Sequence, residues 1–247
     1  MNIQDYTLED GTPWRLFVPE GQQEEWAVLW LQGFTSTIEG HSVGCQRLSE
    51  DLGVPFAILN YAGHGNHPTP LEQATREQQL REVVAVYDEL VARGYKKIIV
   101  IGGSFGGYIG ALLCETRTPH ALVLKAPANY PDEEFAEPYQ NTCRYADNKD
   151  QEAWRQNLQE DFTNRATEAV RQYPGRVFVI EHGGDEELQP NFSKSYFRAA
   201  THGSYIYIPD MAHIHKTMPD GEMYRTISEN WLTTIVRNCI QLAQGES

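Results

Sequence analysis

The stretch KKIIVIGGSFGGYIGALL, residues 96–113, decides how the rest of the chain can fold. Its β-branched run at 97–101 predicts a buried strand, and the small and apolar residues from 108 onward begin a helix. Between them lies Gly-Gly-Ser-Phe-Gly, which fits the pattern G-x-S-x-G. At a strand-to-helix turn this pattern holds the serine in a tight, strained backbone with its hydroxyl exposed at the edge of the sheet. Ser104 is therefore the candidate nucleophile.

Two other interpretations of this stretch compete with a nucleophilic serine. A phosphate-binding glycine loop would carry the lysine of a Walker motif or the spacing G-x-G-x-x-G, and the stretch has neither. The other interpretation is a glycine-rich turn that serves only close packing, and the sequence alone does not exclude it.

Strands and helices alternate on both sides of this stretch, which predicts an α/β fold with a mostly parallel central sheet and helices on both faces. An opening hairpin is expected at 3–8 and 14–18. The further strands are expected at 27–31, 56–60, 97–101, 120–124, 177–180 and 205–208, and the helices at 41–52, 71–93, after Ser104, and at 219–244.

The segment between residues 126 and 176 interrupts this alternation, because it contains no convincing strand and many aromatic residues. A structureless loop of that length is unusual in a compact domain, so we expect a small helical lid at 130–173, with a helix at 152–173. The core of the protein is then formed by 1–129 and 174–247. The lid aromatics Phe135, Tyr139 and Trp154 are candidate substrate contacts, although packing of the lid on the core explains them equally well.

A serine nucleophile needs a base, and the base needs an acid that orients it. In this architecture the chain order is serine, acid, histidine, which places the base in the loop after the last strand. His213 lies there, and His215 is the alternative. For the acid, counting forward from the end of the preceding strand indicates Asp185, and counting backward from Pro190 indicates Glu186. We expect Asp185, because its shorter carboxylate is the usual partner of the histidine, and Glu186 is the alternative.

An oxyanion hole needs two backbone N–H donors close to the serine. One is expected from Phe105, directly after Ser104 at the start of a helix. The other is expected from Phe34, because Gly33 lets the chain turn tightly after an early strand.

Composition limits the partners of the protein. The chain has 247 residues, of which 40% are hydrophobic, and a net charge of −14. A charge of this sign disfavours binding to nucleic acid and to anionic membrane surfaces. We expect no membrane span, no secretory signal and a cytoplasmic location, with Cys45, Cys114, Cys143 and Cys239 as reduced thiols and no metal site.

Five segments together resemble the α/β-hydrolase superfamily. They are LQGF (31–34), NYAGHGNHP (60–68), GGSFGG (102–107), HGGDEEL (182–188) and DMAH (210–213). The chain is most similar in style to the lidded monoacylglycerol lipase, feruloyl esterase, acyl-protein thioesterase and serine aminopeptidase-like groups. It departs from the usual motifs at Gln32, where histidine is common, at Asn60, where aspartate is common, and at His67, where serine is common.

The resemblance implies hydrolysis of a small-molecule carboxylic ester or thioester through an acyl-enzyme on Ser104, without a cofactor. A serine aminopeptidase-type peptide hydrolase and a catalytically inactive binding protein of the same fold are the alternatives. An aminopeptidase has to recognise a free amine, and acidic residues of the expected lid are consistent with that alternative. They are Asp132, Glu133, Glu134 and Glu137.

Overall fold

The computed structural model describes residues 1–142, 153–214 and 218–245. Within them, eight strands form one sheet in the order β1-β2-β4-β3-β5-β6-β7-β8. The strands are β1 (Asn2–Thr7), β2 (Pro13–Val18), β3 (Trp26–Leu31), β4 (Phe56–Leu59), β5 (Lys97–Gly103), β6 (Ala121–Lys125), β7 (Arg176–His182) and β8 (His202–Ile208). The helices are α1 (Ile38–Leu52), α2 (Arg76–Ala92), α3 (Phe105–Leu113), α4 (Arg165–Gln172), α5 (Pro190–Ala199) and α6 (Gly221–Gly245).

The sheet is antiparallel only at its first edge. β1 and β2 form the predicted hairpin, and β2 also pairs antiparallel with β4. The other five pairings are parallel, with Gly102 of β5 opposite Leu31 of β3 and Leu124 of β6. The predicted mostly parallel sheet is therefore confirmed, and the C-terminal ends of β3, β5, β6, β7 and β8 all lie at one edge.

Helices cover both faces of the sheet. The larger apolar cluster joins one face to α2, α3, α4 and α5, and a second cluster joins the other face to α1 and α6. Neighbouring residues of β6 alternate between them, because successive strand side chains point to opposite faces: Leu122 and Leu124 lie in the first cluster, and Ala121 and Val123 in the second.

The predicted start of the second helix was wrong by five residues. Residues Leu71–Gln73 form a single 3₁₀ turn, and α2 begins at Arg76. The Thr75 side chain accepts a hydrogen bond from the Gln78 N–H and so caps the helix. Apolar residues at helical spacing begin before the helix, at Leu71, because the 3₁₀ turn also packs against the rest of the protein.

The predicted continuous helix at 152–173 was also wrong. Residues 153–156 are helical, and α4 begins only at Arg165 after a separate capping box at Asn164. The buried residues of α4 are Ala166, Thr167, Ala169 and Val170, and the helix packs against α3 and α5. The division into a core and a lid at 130–173 stays a prediction, and its residues 143–152 lie outside the described part of the chain.

Helix α5 was not predicted. It begins with Pro190 at its first position, where the missing N–H costs nothing. It buries Phe192 and Tyr196 in the larger cluster. Phe192 and Tyr196 are flanked by polar residues, so the apolar pattern of this helix has too few positions to be recognised in the sequence.

Candidate active site

Ser104 occupies the turn between β5 and α3 in a strained backbone, with φ 52° and ψ −118°. Two glycines make this turn possible. A Cβ on Gly106 would lie 2.0 Å from the Leu31 carbonyl oxygen, and one on Gly102 would lie 2.3 Å from the Gly106 carbonyl oxygen. Since neither position has room for a side chain, the sharp turn that presents Ser104 depends on glycine here.

Three side chains meet at this turn in one hydrogen-bonded chain. His213 Nε2 lies 3.0 Å from Ser104 Oγ, and His213 Nδ1 lies 2.6 Å from Asp185 Oδ2. The side chains of His213 and Asp185 are 11% and 7% exposed. A histidine so placed can accept the serine proton at Nε2 while the carboxylate holds the proton on Nδ1. The structure thus brings together Ser104, His213 and Asp185.

The loop after β7 aims Asp185 at the histidine. Its Oδ1 accepts hydrogen bonds from the N–H groups of Glu187 and Leu188, both at 2.9 Å. The Gly184 N–H donates to the Met211 carbonyl and ties this loop to the one that carries His213. Glu186, the alternative acid, is exposed. His215, the alternative base, lies outside the described residues.

The loop after β3 lies directly beside Ser104. A Cβ on Gly33 would lie 3.6 Å from the Ser104 Cβ, and Phe34 follows it. Phe105 opens α3, where a backbone N–H has no acceptor four residues earlier within the helix. The rings of Phe34 and Phe105 pack edge to face with centroids 5.7 Å apart, and the His64 ring contacts both. The two predicted oxyanion donors therefore belong to one packed aromatic cluster.

The sequence model of the serine aminopeptidase S33 family matches residues 22–213, a range that contains all three hydrogen-bonded residues. The chain belongs to this family of α/β hydrolases. A carboxylesterase of Bacillus subtilis (strain 168) is 32% identical over 124 residues, which are 49% of this chain and 49% of the carboxylesterase. The S33-family chain thus matches about half the length of this curated relative.

Solved structures share the fold of this S33-family protein. Est1E from Butyrivibrio proteoclasticus, solved with ferulic acid bound, superposes with a TM-score of 0.69 at 18% identity, over 92% of this chain and 96% of Est1E. A hydrolase structure from Agrobacterium vitis S4 also gives a TM-score of 0.69, at 20% identity, over 97% of this chain and 100% of that chain. At these identities the likeness shows a common fold.

A cavity of about 650 Å³ opens in front of Ser104. Apolar and aromatic side chains line part of it, among them Phe34, Tyr130, Leu188 and Ile214. Charged lining residues are Lys125, Arg155 and Glu187. A cavity of this volume is large enough for a small organic ligand beside Ser104.

The three lid aromatics proposed from the sequence do not line this cavity. Tyr139 is buried, and its hydroxyl donates to Gln79 Oε1 at 2.9 Å while its ring packs on Phe34. Phe135 is buried in the larger cluster, where the Arg165 guanidinium lies over its ring. Trp154 packs on Phe192. Their positions support the surrounding structure, because each ring is used for packing.

His182 is a site residue that sequence reasoning did not single out. It is 3% exposed, lines the cavity, and its Nδ1 lies 3.1 Å from the Ala212 carbonyl oxygen. Since a carbonyl only accepts, Nδ1 carries the proton. Burial lowers the pKa of His182 to about 3, with a smaller effect of the Lys125 charge. A neutral His182 therefore connects the end of β7, which leads to Asp185, with the loop that carries His213, and it does not compete for the proton of His213.

The motif departures Gln32 and Asn60 have structural partners. The Gln32 amide donates to the Leu59 carbonyl, and Asn60 Oδ1 accepts the Ile38 N–H at 2.8 Å at the start of α1. His67 lies 3.2 Å from Glu82, and both side chains are buried. Through these contacts Gln32, Asn60 and His67 connect the end of β4 and the loop that follows it to the end of β3, to α1 and to α2.

Residues 1–142, 153–214 and 218–245 contain neither a cluster of metal ligands nor a helix able to cross a membrane. No group of three or more His, Cys, Asp or Glu side chains there is arranged to hold a metal ion. The helices in the same ranges include none with the length and apolar character to cross a membrane. Cys45, Cys114 and Cys239 are free thiols, and Cys143 lies outside the described residues.

Proposed function

We propose that this protein is a serine hydrolase that cleaves carboxylic esters or thioesters of small molecules through an acyl-enzyme on Ser104. The observation that carries the proposal is the hydrogen-bonded chain from Ser104 Oγ through His213 to Asp185, with distances of 3.0 and 2.6 Å. The partial match to a carboxylesterase supports an ester as the substrate.

In the first half of the reaction, His213 Nε2 takes the Ser104 proton as Oγ bonds to the acyl carbon. The electron pair of the carbonyl moves to its oxygen, which receives hydrogen bonds from the N–H groups of Phe34 and Phe105. Asp185 keeps the imidazolium oriented. His213 then gives its Nε2 proton to the leaving alcohol or thiol, and the acyl group stays on Ser104.

In the second half, water replaces the alcohol. His213 accepts a proton from the water as its oxygen attacks the acyl carbon, and returns a proton to Ser104 Oγ as the acid leaves. All steps use side chains and backbone groups of this chain alone.

A peptidase is the second candidate, because the matching family is that of serine aminopeptidase S33. Two acids of the lid point to other partners: Glu134 pairs with Arg76 at 3.2 Å, and Asp132 accepts the Arg165 N–H at 2.9 Å. Glu187 is the carboxylate that lines the cavity and faces His213, at 3.9 Å. Among the described residues that line the cavity, Glu187 is the carboxylate that a substrate amine would contact.

The test is a panel of p-nitrophenyl esters of increasing chain length, one acyl thioester, and aminoacyl p-nitroanilides. We expect turnover of the esters or the thioester and its loss in Ser104→Ala, with unchanged circular dichroism. Ser36→Ala, which changes another serine of the same cavity wall, is the matched control and keeps turnover. Turnover of anilides alone would make the protein a peptidase, and ester turnover in folded Ser104→Ala would remove the nucleophile assignment.

A further inference from the structure

Several buried polar atoms on the wall of the cavity in front of Ser104 have no hydrogen-bond partner among the described residues. They include Gln32 Oε1, His182 Nε2 and Trp30 Nε1. Gln32 and His182 are only 1% and 3% exposed. Because buried polar groups in folded proteins are almost always hydrogen-bonded, such atoms on the wall of a ligand-sized cavity indicate contacts that a ligand completes.

The contacts of Gln32 and His182 fix which of their atoms are left for a ligand. The Gln32 amide nitrogen donates to the Leu59 carbonyl, so Oε1 is the remaining atom and can only accept. His182 donates from Nδ1 to the Ala212 carbonyl at 3.1 Å, so Nε2 carries a lone pair. Burial lowers the pKa of His182 to about 3, and Nε2 therefore stays an acceptor at neutral pH. Both remaining atoms are uncharged acceptors, whereas the Trp30 N–H is a donor.

The two acceptors lie on opposite sides of Ser104. Ser104 follows β5, Gln32 follows β3, and His182 is the last residue of β7. In the sheet β5 lies between β3 and β6, and β7 lies beyond β6. Since adjacent strands are about 4.8 Å apart, roughly 14 Å separates the strand ends that lead to the two acceptors. A small-molecule ester that reacts at Ser104 can therefore extend toward both of them.

Hydroxyl groups match this arrangement better than charged groups. A carboxylate only accepts hydrogen bonds, so it finds no donor at Gln32 Oε1 or His182 Nε2. An ammonium group would be buried against neutral acceptors that leave its charge uncompensated, which costs free energy. A hydroxyl group donates to either acceptor without bringing a charge. Its oxygen can also accept from a donor such as the N–H of Trp30, two residues before Gln32.

We propose that Gln32 and His182 bind hydroxyl groups of the substrate, so that the enzyme prefers esters hydroxylated on both sides of the scissile bond. The inference rests on the proposed function and specifies its substrate class. An ester that lacks these hydroxyl groups leaves the two acceptors buried and unpaired. A site built to hydrogen-bond its substrate discriminates against such analogues for this reason.

The experiment compares kcat/KM within two series of esters. The acyl series contains the 4-nitrophenyl esters of 6-hydroxyhexanoic, 6-methoxyhexanoic and heptanoic acid. The alcohol series contains the butyrates of 4-(2-hydroxyethyl)phenol, 4-(2-methoxyethyl)phenol and 4-propylphenol. A methoxy group accepts hydrogen bonds but cannot donate, so it isolates donation to the two acceptors. We expect kcat/KM of each hydroxyl ester to be about 10-fold above those of its methoxy and alkyl counterparts, as for one net hydrogen bond.

Three variants assign the preference to particular side chains. His182→Asn keeps an N–H for the Ala212 carbonyl but is too short to place an acceptor at Nε2, and it should abolish the hydroxyl preference in one series. Gln32→Met keeps the length of the side chain without its acceptor, and should abolish the preference in the other series. His202→Asn changes an exposed histidine of β8 and should leave both preferences unchanged. A merely structural role of Gln32 or His182 would lower kcat/KM equally for all esters of a series.

Binding without turnover separates this inference from the proposed function. In the Ser104→Ala background, methyl 6-hydroxyhexanoate should raise Tm more than methyl 6-methoxyhexanoate, and the difference should vanish in either His182→Asn or Gln32→Met. Ester turnover with no hydroxyl preference in either series, or an equal loss on hydroxyl and methoxy esters in both variants, would overturn the hydroxyl sites. A hydroxyl-dependent Tm shift without any ester or thioester turnover would instead contradict the proposed function alone.

Discussion

At the scale of single residues, Asp185 and Glu186 are adjacent carboxylates with opposite surroundings. Asp185 receives two backbone N–H groups on one oxygen and the imidazole on the other, whereas Glu186 is exposed. Asp185→Asn removes the charge that stabilises the imidazolium and the preferred tautomer of His213. We expect kcat to fall about 10⁴-fold.

Glu186→Gln is the matched control for this change, since it neutralises the neighbouring carboxyl of the same loop. Its kcat should stay within about twofold of the wild type, as for other surface substitutions. A reversed order, with the larger loss in Glu186→Gln, would show that the acid had been assigned to the wrong side chain.

His182 makes stability depend on pH. Its pKa in the folded protein is about 3, below the usual value of 6.5, because burial disfavours the charged ring. Above pH 6.5 both the folded and the unfolded states are neutral at this residue. As the pH falls from 6.5 toward 3, only the unfolded state takes up the proton, so stability is lost across this window.

The expected loss from His182 is about 2 kcal/mol between pH 7.5 and pH 5. His182→Asn lacks this titration, so the difference in unfolding free energy between wild type and variant should shrink by about that amount at pH 5. Urea denaturation of both proteins at the two pH values measures it. A difference that stays constant with pH would mean that His182 does not stay neutral in the folded state.

Of the residues around the nucleophile, only some could be found from the sequence. Ser104, Asp185 and His213 stand at the ends of recognisable strands and in a required order, which makes their meeting predictable. Lys125 and His182 also end strands, but their positions beside Ser104 depend on which strands are neighbours. Sheet order puts β6 between β5 and β7, and strand alternation alone does not reveal that order.

At the scale of elements, the turn between β5 and α3 tolerates no side chain at Gly106. Gly106→Ala would press a Cβ onto the Leu31 carbonyl at 2.0 Å and separate β3 from α3. We expect a loss of about 1–3 kcal/mol in unfolding free energy, as in other overpacked sites, together with reduced turnover.

Gly44→Ala should change the free energy of unfolding in the opposite direction. Gly44 lies inside α1, and nothing lies within 4 Å of the place of its Cβ. Alanine there should raise stability by about 0.5–1 kcal/mol, because glycine is the poorer helix former. Urea midpoints that move in the same direction for both variants would contradict the close approach at Gly106.

The elements that sequence reasoning misjudged share a physical cause. α4 buries alanine, threonine and valine, small side chains that fit closely against its neighbours but give a weak hydrophobic pattern. Its boundary is set by the Asn164 capping box, which lies within the helix expected at 152–173. The strands were easier to predict, because parallel strands buried on both faces read as continuous apolar runs.

At the scale of the whole molecule, Leu188 and Trp154 both pack in or against the larger apolar cluster, but of the two Leu188 is the one that also lines the cavity. Leu188 lines the cavity, whereas Trp154 packs on Phe162 and Phe192. Leu188→Ala should therefore change the preference between long and short acyl chains by about 10-fold or more, as expected for lost methylene contacts. The kcat/KM profile over ester chain length measures this.

Trp154→Ala is the companion variant, and it should lower the unfolding free energy by about 2 kcal/mol because it removes aromatic packing from a half-buried site. Its chain-length profile should keep the wild-type shape. A changed profile with unchanged stability would place Trp154 in the substrate site, as the sequence first suggested.

The proposed mechanism requires Ser104 to be a nucleophile activated by His213. The most direct measurement is intact-protein and peptide mass spectrometry after exposure to a small fluorophosphonate, which bonds covalently to an activated serine. One phosphonyl adduct on Ser104 is predicted, absent in Ser104→Ala and formed far more slowly in His213→Ala. An adduct on a different residue, or full ester turnover by protein that acquires no adduct, would contradict the account.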